Sequence, residues 1–247
     1  MNKQLLSPSI RPMNLTSKIH HLHRCWRYRL RSERDSLRWL LELDLSGRLA
    51  LDVGANHGIY SYWMSKAVGP TGAVVAFEPQ PECVEHLSSL RSAFKLNNLE
   101  LVPHALSNTS EEKAMRRSHP TSGGATLEHA GGPIRRGHEQ LTITSTTLDE
   151  CFPAADRQPA IIKCDVEGHE LSVFQGGQVL LERSHPSLLL ECHHRQAIEG
   201  ELFGFLEGLG YAGHFYEHGM RFPLSEFERV PYRKAGQHHR NYIFQVQ

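Results

Sequence analysis

The segment IIKCDVEGHE (161–170) places three carboxylates and an imidazole directly after an apolar run. Asp165, Glu167 and Glu170 lie close together, and His169 is among them. Carboxylates that share a partly desolvated cleft repel one another, which raises at least one pKa, and histidine titrates near neutrality without such help. The spacing therefore suits proton transfer, and His193, at the end of the later run SLLLECH, is a further candidate base.

A divalent metal is the alternative for part of this set. Asp165 at the end of one apolar run, with Glu191 and His193 at the end of another, offers oxygen and nitrogen ligands that could hold Mg²⁺. The spacing is not a metal signature in itself, because parallel strands bring acids to one sheet edge for many reasons. Glu167 and Glu170 also have a plain structural interpretation as capping or solvated residues.

The turn DVGANHG (52–58) is a second candidate binding element. Gly54 and Gly58 allow a tight turn from strand to helix and a close approach of a ligand to the backbone. A dinucleotide fingerprint requires GxGxxG, but Asn56 stands at its middle glycine. Glu78 follows about 20 residues after the turn, where an acidic residue accepts both hydroxyls of a ribose. The pattern predicts a nucleoside-type ligand and disfavours a nicotinamide-dependent oxidoreductase.

Short apolar runs must position these residues: LALDV, AVVAF, LELVPHAL, AIIKCDV and SLLLECH. Helix-length segments separate most of them, which predicts an α/β sandwich whose mostly parallel sheet is covered on both faces. We expect two parts, a helical and basic N-terminal extension (1–46) and the body (47–247). Within them we predict a helix in SLRWLLELDL (36–45), a flexible loop over 119–140 and an extra edge strand in LTITSTTLDE (141–150).

Composition narrows the class of partner. The chain of 247 residues carries 27 basic and 27 acidic side chains, so no global field favours nucleic acid. The five cysteines are scattered without a CxxC pair, which argues against a disulfide framework or zinc site and fits a reducing compartment. No segment reaches the roughly 18 apolar residues of a membrane span. We expect a cytoplasmic protein with a small-molecule partner.

Several segments together resemble the FkbM family of S-adenosylmethionine-dependent methyltransferases: DVGANHGIYS, GPTGAVVAFEPQP, TTLDE, IIKCDVEGHELSVFQGG and HPSLLLECH. The resemblance runs from about Leu49 to Phe244, and DVEGHE is its most specific part. It implies the class I methyltransferase fold, a Rossmann-like three-layer sandwich with a mostly parallel seven-stranded sheet and an antiparallel C-terminal hairpin. Here GYAGHFYEH (210–218) and NYIFQV (241–246) would form that hairpin, with a loop between them.

The same resemblance implies S-adenosylmethionine as the cofactor. The turn from Asp52 to Gly58 would hold its methionine part, and the stretch from Pro103 to Leu106 would border its adenine. Asp165 would bind its cationic end, and Glu167 would orient the acceptor or take its proton. The predicted cofactor contacts are Asp52, Gly54, Asn56, Gly58, Tyr60, Glu78, Ala105 and Asp165. The predicted catalytic residues are Asp165, Glu167, His169 and His193.

For the acceptor, the resemblance favours O-methylation of a hydroxyl on a natural product or a sugar. Its walls would come from the N-terminal extension and from the segments 119–140 and 217–240. An acidic acceptor would be favoured if arginines faced the cleft, the candidates being Arg116, Arg117, Arg135 and Arg136. The alternative is a relative that binds the cofactor without catalysis, against which the intact glycine turn speaks.

Overall fold

The computed structural model describes residues 12–128, 133–134, 136–155, 157–232 and 238–246. Its first part is helical and consists of α1 (Leu15–Arg27), one π-helical turn (Tyr28–Ser32) and α2 (Arg34–Glu42). The side chain of Asn14 begins α1 by accepting a hydrogen bond from the Ser17 amide at 2.8 Å. α2 overlaps the helix predicted over 36–45.

The helices of this first part pack against the body. Leu37 and Leu40 of α2 are fully buried, as is Cys25 of α1. The Trp63 indole donates a hydrogen bond to the Cys25 carbonyl at 3.2 Å. These contacts fix α1 and α2 to the body of the protein.

The strands of the body form two sheets. The main sheet contains β1 (Leu49–Val53), β2 (Ala73–Phe77), β3 (Leu99–Val102), β7 (Pro159–Cys164), β8 (Ser187–His193), β9 (Tyr211–Glu217), β10 (Met220–Pro223) and β11 (His239–Val246). The smaller sheet contains β4 (Ala105–Leu106), β5 (Glu112–Arg117) and β6 (Glu139–Thr146). The helices between the strands are α3 (Ile59–Val68), α4 (Pro81–Phe94), α5 (Leu148–Cys151), α6 (Glu170–Gln175), α7 (Gln178–Ser184), α8 (His194–Glu199) and α9 (Glu201–Gly208).

The main sheet has the strand order β3-β2-β1-β7-β8-β11-β9-β10. The strands from β3 to β8 in this order are parallel, whereas β11 pairs antiparallel with both β8 and β9. The predicted mostly parallel sheet with antiparallel C-terminal strands is confirmed. Within the described residues the sheet has eight strands rather than seven. The additional strand arises because Met220–Pro223, in the segment expected to be a loop, pairs with β9 at the sheet edge.

The predicted edge strand at 141–150 lies instead in the smaller sheet. There β6 pairs antiparallel with β5 along the whole of β5, and it pairs parallel with β4. These two neighbours supply hydrogen-bond partners for the backbone groups of β6. The run LELVPHAL also divides into β3 and β4, since Pro103 has no amide hydrogen to donate. Part of the predicted loop over 119–140 is attached to β5, because Thr126 and Arg116 exchange backbone hydrogen bonds of 2.9 Å. Residues 129–132 and 135 of that loop lie outside the described residues.

Helices cover both faces of the main sheet. Neighbouring residues of β1 show the arrangement, because Ala50 belongs to the core beneath α1 to α4 and Leu51 to the core beneath α5 to α9. Full burial of a leucine side chain contributes about 1.5–3 kcal/mol. This packing fixes the strands whose carboxyl ends form the site.

The cysteines of this core are free thiols. Cys164 of β7 is fully buried, and burial raises its pKa well above the usual value, as expected of a packed apolar side chain rather than a nucleophile. Among the described residues, no helix combines the length and the apolar character needed to cross a membrane.

Candidate functional site

A cleft of about 310 Å³ lies where the carboxyl ends of β1, β2, β7 and β8 meet. β2 and β7 flank β1 on opposite sides, so the strand order reverses here. Open α/β sheets bind ligands at such a point. The walls of the cleft include the turns after β1, β2 and β7, parts of the smaller sheet, and Arg24, Tyr28 and Glu33 from the helical first part.

Two glycines shape the turn after β1. Gly54 has a φ of +74°, and a Cβ at this position would lie 1.9 Å from the carbonyl oxygen of Asp165. Gly58 has a φ of +75° and precedes α3, where a Cβ would lie 2.7 Å from a methyl group of Leu87. The backbone after β1 therefore touches the backbone after β7, and no side chain separates them.

Glu78 lies at the end of β2 and is only 3% exposed. Its Oε2 accepts the Asn56 amide at 2.7 Å, and its Oε1 accepts the Gln80 amide at 2.9 Å. Burial raises the pKa of Glu78, and the two amide hydrogen bonds oppose that rise. The carboxylate is held in one orientation in the cleft lining, with lone pairs left for ligand hydroxyls.

Asp52 lies behind the lining of the cleft and is fully buried. Its Oδ2 accepts a hydrogen bond from Ser61 Oγ at 2.5 Å, and its Oδ1 lies 3.7 Å from Lys163 Nζ. Burial raises the pKa of Asp52, which Lys163 and Ser61 oppose. Asp52 therefore stabilises the turn after β1 through its contacts with Ser61 and Lys163.

Lys163, which was not predicted as a site residue, is a buried cation in the floor of the cleft. It lies on β7 opposite Asp52 of β1, and its Nζ is 3.4 Å from both Asp165 Oδ2 and the Gly54 carbonyl oxygen. Burial would lower the pKa of Lys163, but Asp165 and Asp52 outweigh this effect and raise it, so the side chain stays charged. The sequence signal was a lysine within an apolar strand, a position that is costly unless the charge is paired.

Glu33, also unpredicted, connects three parts of the chain. The Tyr60 hydroxyl of α3 donates to Glu33 Oε2 at 3.1 Å, and Asn241 Nδ2 of β11 donates to the same oxygen. The Tyr60 ring lies 5.1 Å from Lys163 Nζ in a cation–π arrangement. Tyr60, a predicted cofactor contact, is thus fixed in the cleft wall by the first helices and the last strand.

Asp165 and Glu191 line the cleft at the ends of the neighbouring strands β7 and β8. Glu191 Oε1 lies 3.0 Å from His239 Nε2. Burial, followed by the charges of Asp165 and Glu33, raises the pKa of Glu191 well above its usual value. This end of the cleft is therefore rich in carboxylates.

The turn between β7 and α6 has a strained backbone that Glu170 stabilises. Glu167 and Gly168 have φ values of +54° and +103°. Glu170 Oε1 accepts the amides of Val166 and Gly168 at 3.0 and 3.3 Å, and its Oε2 accepts a hydrogen bond from Gln196 Nε2 at 3.0 Å. Glu170 therefore has the structural role that the sequence left open.

We expect the Glu170→Ala variant to lose about 3 kcal/mol of unfolding free energy, because buried amides and the Gln196 side chain lose their acceptor. Urea unfolding followed by circular dichroism measures the loss. The matched control is Glu182→Ala, an exposed glutamate on α7, which should change stability by less than about 0.5 kcal/mol. Equal stabilities of the two variants would contradict the structural role.

The two predicted catalytic imidazoles have different surroundings. His169 is 8% exposed, and its Nδ1 lies 2.7 Å from Glu128 Oε1 while its Nε2 lies 2.9 Å from Ser107 Oγ. Both of its ring nitrogens are therefore engaged. His193 Nε2 lies 3.3 Å from Glu167 Oε2, and this hydrogen bond raises the pKa of His193. Its side chain remains accessible to solvent.

The structure does not support the metal alternative. His193 pairs with Glu167, and Glu191 pairs with His239. Across the described ranges, no group of three or more histidine, cysteine, aspartate or glutamate side chains is arranged to hold a metal ion. The Mg²⁺ site considered for Asp165, Glu191 and His193 is therefore not supported.

The smaller sheet and the segment between β5 and β6 form another wall of the cleft. Ala105 and Leu106, from the stretch predicted to border adenine, line the cleft. So do Gly123, Ala125 and Leu127 from the predicted loop. This wall offers mainly apolar surface to a ligand.

The arginines that hinted at an acidic acceptor do not support that hint. Arg117 is buried and forms ion pairs with Glu82 at 2.6 Å and Glu139 at 2.7 Å. Arg116 and Arg136 are not part of the cleft lining within the described residues, and Arg135 lies outside those residues.

These features define the class of protein. The order of the parallel strands, the antiparallel C-terminal strands, the glycine turn after β1 and the buried acid after β2 are those of class I S-adenosylmethionine-dependent methyltransferases. The crystal structure of a methyltransferase FkbM from Methylobacillus flagellatus shares the fold with a TM-score of 0.57. It is 15% identical, and the match covers 82% of this chain and 45% of that one.

The chain belongs to the FkbM methyltransferase family. The profile described as "Methyltransferase FkbM domain" matches residues 52–213, well over half of the chain. The hexuronic acid methyltransferase AglP of Haloferax volcanii is 29% identical over 160 residues, which are 64% of this chain and 62% of AglP. This chain therefore matches less than two thirds of AglP. Methyltransferase sdnD of Sordaria araneosa is 26% identical over 67% of this chain and 74% of sdnD. The family predicted from the sequence is confirmed.

Proposed function

We propose that this protein transfers a methyl group from S-adenosylmethionine to a hydroxyl group of a small molecule. The observation that carries the proposal is the cleft floor, where the Gly54 turn touches the Asp165 carbonyl and Glu78 is oriented by two amides. We assign this floor to a methyltransferase domain over 47–247, with the preceding helices closing one wall.

The residues of the cleft fit the polar groups of the cofactor. Glu78 has fixed oxygens that can accept two ribose hydroxyls. The turn that includes Asn56 and ends at Gly58 allows a close backbone approach beside the start of α3. Ala105 offers apolar surface for adenine, and Asp165 offers a carboxylate to the cationic end. S-adenosylmethionine would supply a methyl group activated by a positively charged sulfur.

Methyl transfer to a hydroxyl requires alignment, exclusion of water and an acceptor for the hydroxyl proton. We assign proton acceptance to Glu167, which lines the cleft and is paired with His193. We assign orientation of the hydroxyl to Glu191, whose raised pKa favours a form that donates a hydrogen bond. We assign no proton transfer to His169, because both of its ring nitrogens are engaged.

A carbohydrate is the acceptor class that these contacts favour. Carboxylates at the ends of β7 and β8 are suited to bind several neighbouring hydroxyls. The relative AglP is named a hexuronic acid methyltransferase, which supports a sugar-type acceptor for this chain.

Isothermal titration of the purified protein with S-adenosylmethionine, S-adenosylhomocysteine and NAD tests the proposal. We expect micromolar binding of the two sulfur ligands and no binding of NAD. Incubation with methyl-labelled cofactor and a panel of sugars then identifies the acceptor. Failure to bind either sulfur ligand would contradict the proposed function, and binding without transfer to any hydroxyl would favour the non-catalytic alternative.

The Glu78→Ala variant should bind S-adenosylhomocysteine about 5- to 150-fold more weakly, because the ribose hydroxyls lose a charged acceptor. Titration calorimetry measures the change. Glu85→Ala, an exposed glutamate on α4, is the matched control and should retain full affinity. Equal affinities of the two variants would remove Glu78 from the ribose site.

A further inference from the structure

Arg24 contributes a positive charge to the cleft from outside the region that defines the family. It lies on α1, well before the start of the matched region 52–213, and it lines the cleft together with Tyr28. Within the described ranges, no carboxylate forms an ion pair with its guanidinium. By contrast, the buried cation Lys163 is paired with Asp165 and Asp52.

His57 provides a second unsatisfied group beside Arg24. It lines the cleft in the turn before α3, and its Nδ1 is buried with no hydrogen-bond partner among the described residues. Burial, followed by the charge of Arg24, lowers the pKa of His57 to about 4. His57 is therefore neutral at neutral pH, so it does not repel Arg24 and can hydrogen-bond through one ring nitrogen.

The start of α3 also favours a negatively charged group. Its first turn contains no acidic residue, although the positive end of the helix dipole favours a negative group there. Arg24, His57 and the N-terminal end of α3 would all be satisfied by an anionic group of a ligand. The carboxylates Asp165 and Glu191 stand instead at the ends of β7 and β8, around Lys163.

We propose that Arg24, assisted by His57, binds the carboxylate of the methionine part of S-adenosylmethionine, so that α1 completes the cofactor site. The inference rests on the proposed function, because it requires that S-adenosylmethionine is the cofactor and that its methionine part lies at the turn from Asp52 to Gly58. The basic helix before the family domain is then a ligand-binding element. Its arginine selects a cofactor that carries a carboxylate.

The test compares S-adenosylmethionine with decarboxylated S-adenosylmethionine, which keeps the sulfonium and the ammonium but lacks the carboxylate. Titration calorimetry measures binding of both ligands to the wild-type protein, to Arg24→Met and to Arg24→Lys. We expect Arg24→Met to weaken binding of S-adenosylmethionine roughly 10- to 100-fold and that of the decarboxylated ligand by less than about threefold. Arg24→Lys should recover part of the affinity.

The matched control is Arg27→Met, which removes an exposed arginine from the same helix and should bind both ligands as the wild type does. Unchanged affinity of Arg24→Met for S-adenosylmethionine, or an equal loss for both ligands, would overturn the inference. A wild-type protein that binds neither ligand would instead contradict the proposed function, and the inference would fall with it.

Discussion

The Gly54→Ala variant should lose cofactor binding and more than about 3 kcal/mol of unfolding free energy. The added Cβ would lie 1.9 Å from the Asp165 carbonyl oxygen at a φ of +74°. The left-handed conformation alone costs alanine about 1–2 kcal/mol. The clash adds to this cost, because the backbones after β1 and β7 must separate, and that separation deforms the cofactor site. Urea unfolding and titration with S-adenosylhomocysteine measure the two effects.

Gly210→Ala provides the matched control for Gly54→Ala. Gly210 also has a positive φ, +86°, but a Cβ there meets nothing within 4 Å. We expect it to lose only the conformational term of about 1–2 kcal/mol and to bind the cofactor normally. If Gly54→Ala were no less stable than Gly210→Ala, the close contact between the two turns would not be essential.

Replacement of Lys163 by methionine should lower the free energy of unfolding by an amount similar to that expected for Gly54→Ala. Its Nζ lies 3.4 Å from Asp165 Oδ2 and 3.7 Å from Asp52 Oδ1, and the lysine is 5% exposed. Removing one partner of a buried ion pair costs about 3–5 kcal/mol, because the remaining charge has no compensation. We expect a loss in this range at pH 7.5 by urea unfolding, together with weaker cofactor binding.

The loss should decrease as the pH falls. Burial already raises the pKa of Asp52 in the folded protein, and removal of the cation raises it further. A group whose pKa is higher in the folded state binds protons more tightly there, so acidification stabilises the folded variant relative to the unfolded one. The difference between wild type and Lys163→Met should therefore be smaller at pH 5.5 than at pH 7.5.

Two further variants complete the Lys163 test. Lys163→Arg keeps the charge and should retain more stability than Lys163→Met. Lys113→Met removes a lysine from a surface pair with Glu111 and should change stability by less than about 1 kcal/mol. A Lys163→Met variant as stable as Lys113→Met at both pH values would show that the buried pairing contributes nothing.

The sequence predicts the strands of the cleft because parallel strands that are buried on both faces are continuous apolar runs. LALDV, AVVAF, AIIKCDV and SLLLECH correspond to β1, β2, β7 and β8, although β7 ends at Cys164, before the last two residues of its run. Since the carboxyl ends of these strands meet at one edge, Asp165 and Glu191 come together as the order of the runs implies. The spacing between Gly58 and Glu78 can also be read directly from the sequence, and it predicts an acidic residue at the end of β2.

The sequence does not predict contacts that depend on the final arrangement of distant segments. Glu33 contacts Tyr60 and Asn241 across separations of 27 and 208 residues, and no local period encodes such a contact. Lys163 is visible in the sequence as a charge within an apolar run, but its pairing with Asp52 depends on the register of β1 against β7. The edge strand β10 is not evident from the sequence, because Met220–Pro223 is short and ends in proline.

The hydrogen bonds at Glu33 have a consequence for the synthesis of the protein. The partner Asn241 is joined to the chain 208 residues after Glu33, so this wall of the cleft is completed only after β11 has left the ribosome. Contacts between such distant segments form late, because the loop that joins them must close first. A nascent chain should therefore acquire its β1 to β8 core before it can retain the cofactor, and added cofactor should stabilise chains that include β11 but not ribosome-bound chains that stop before β11.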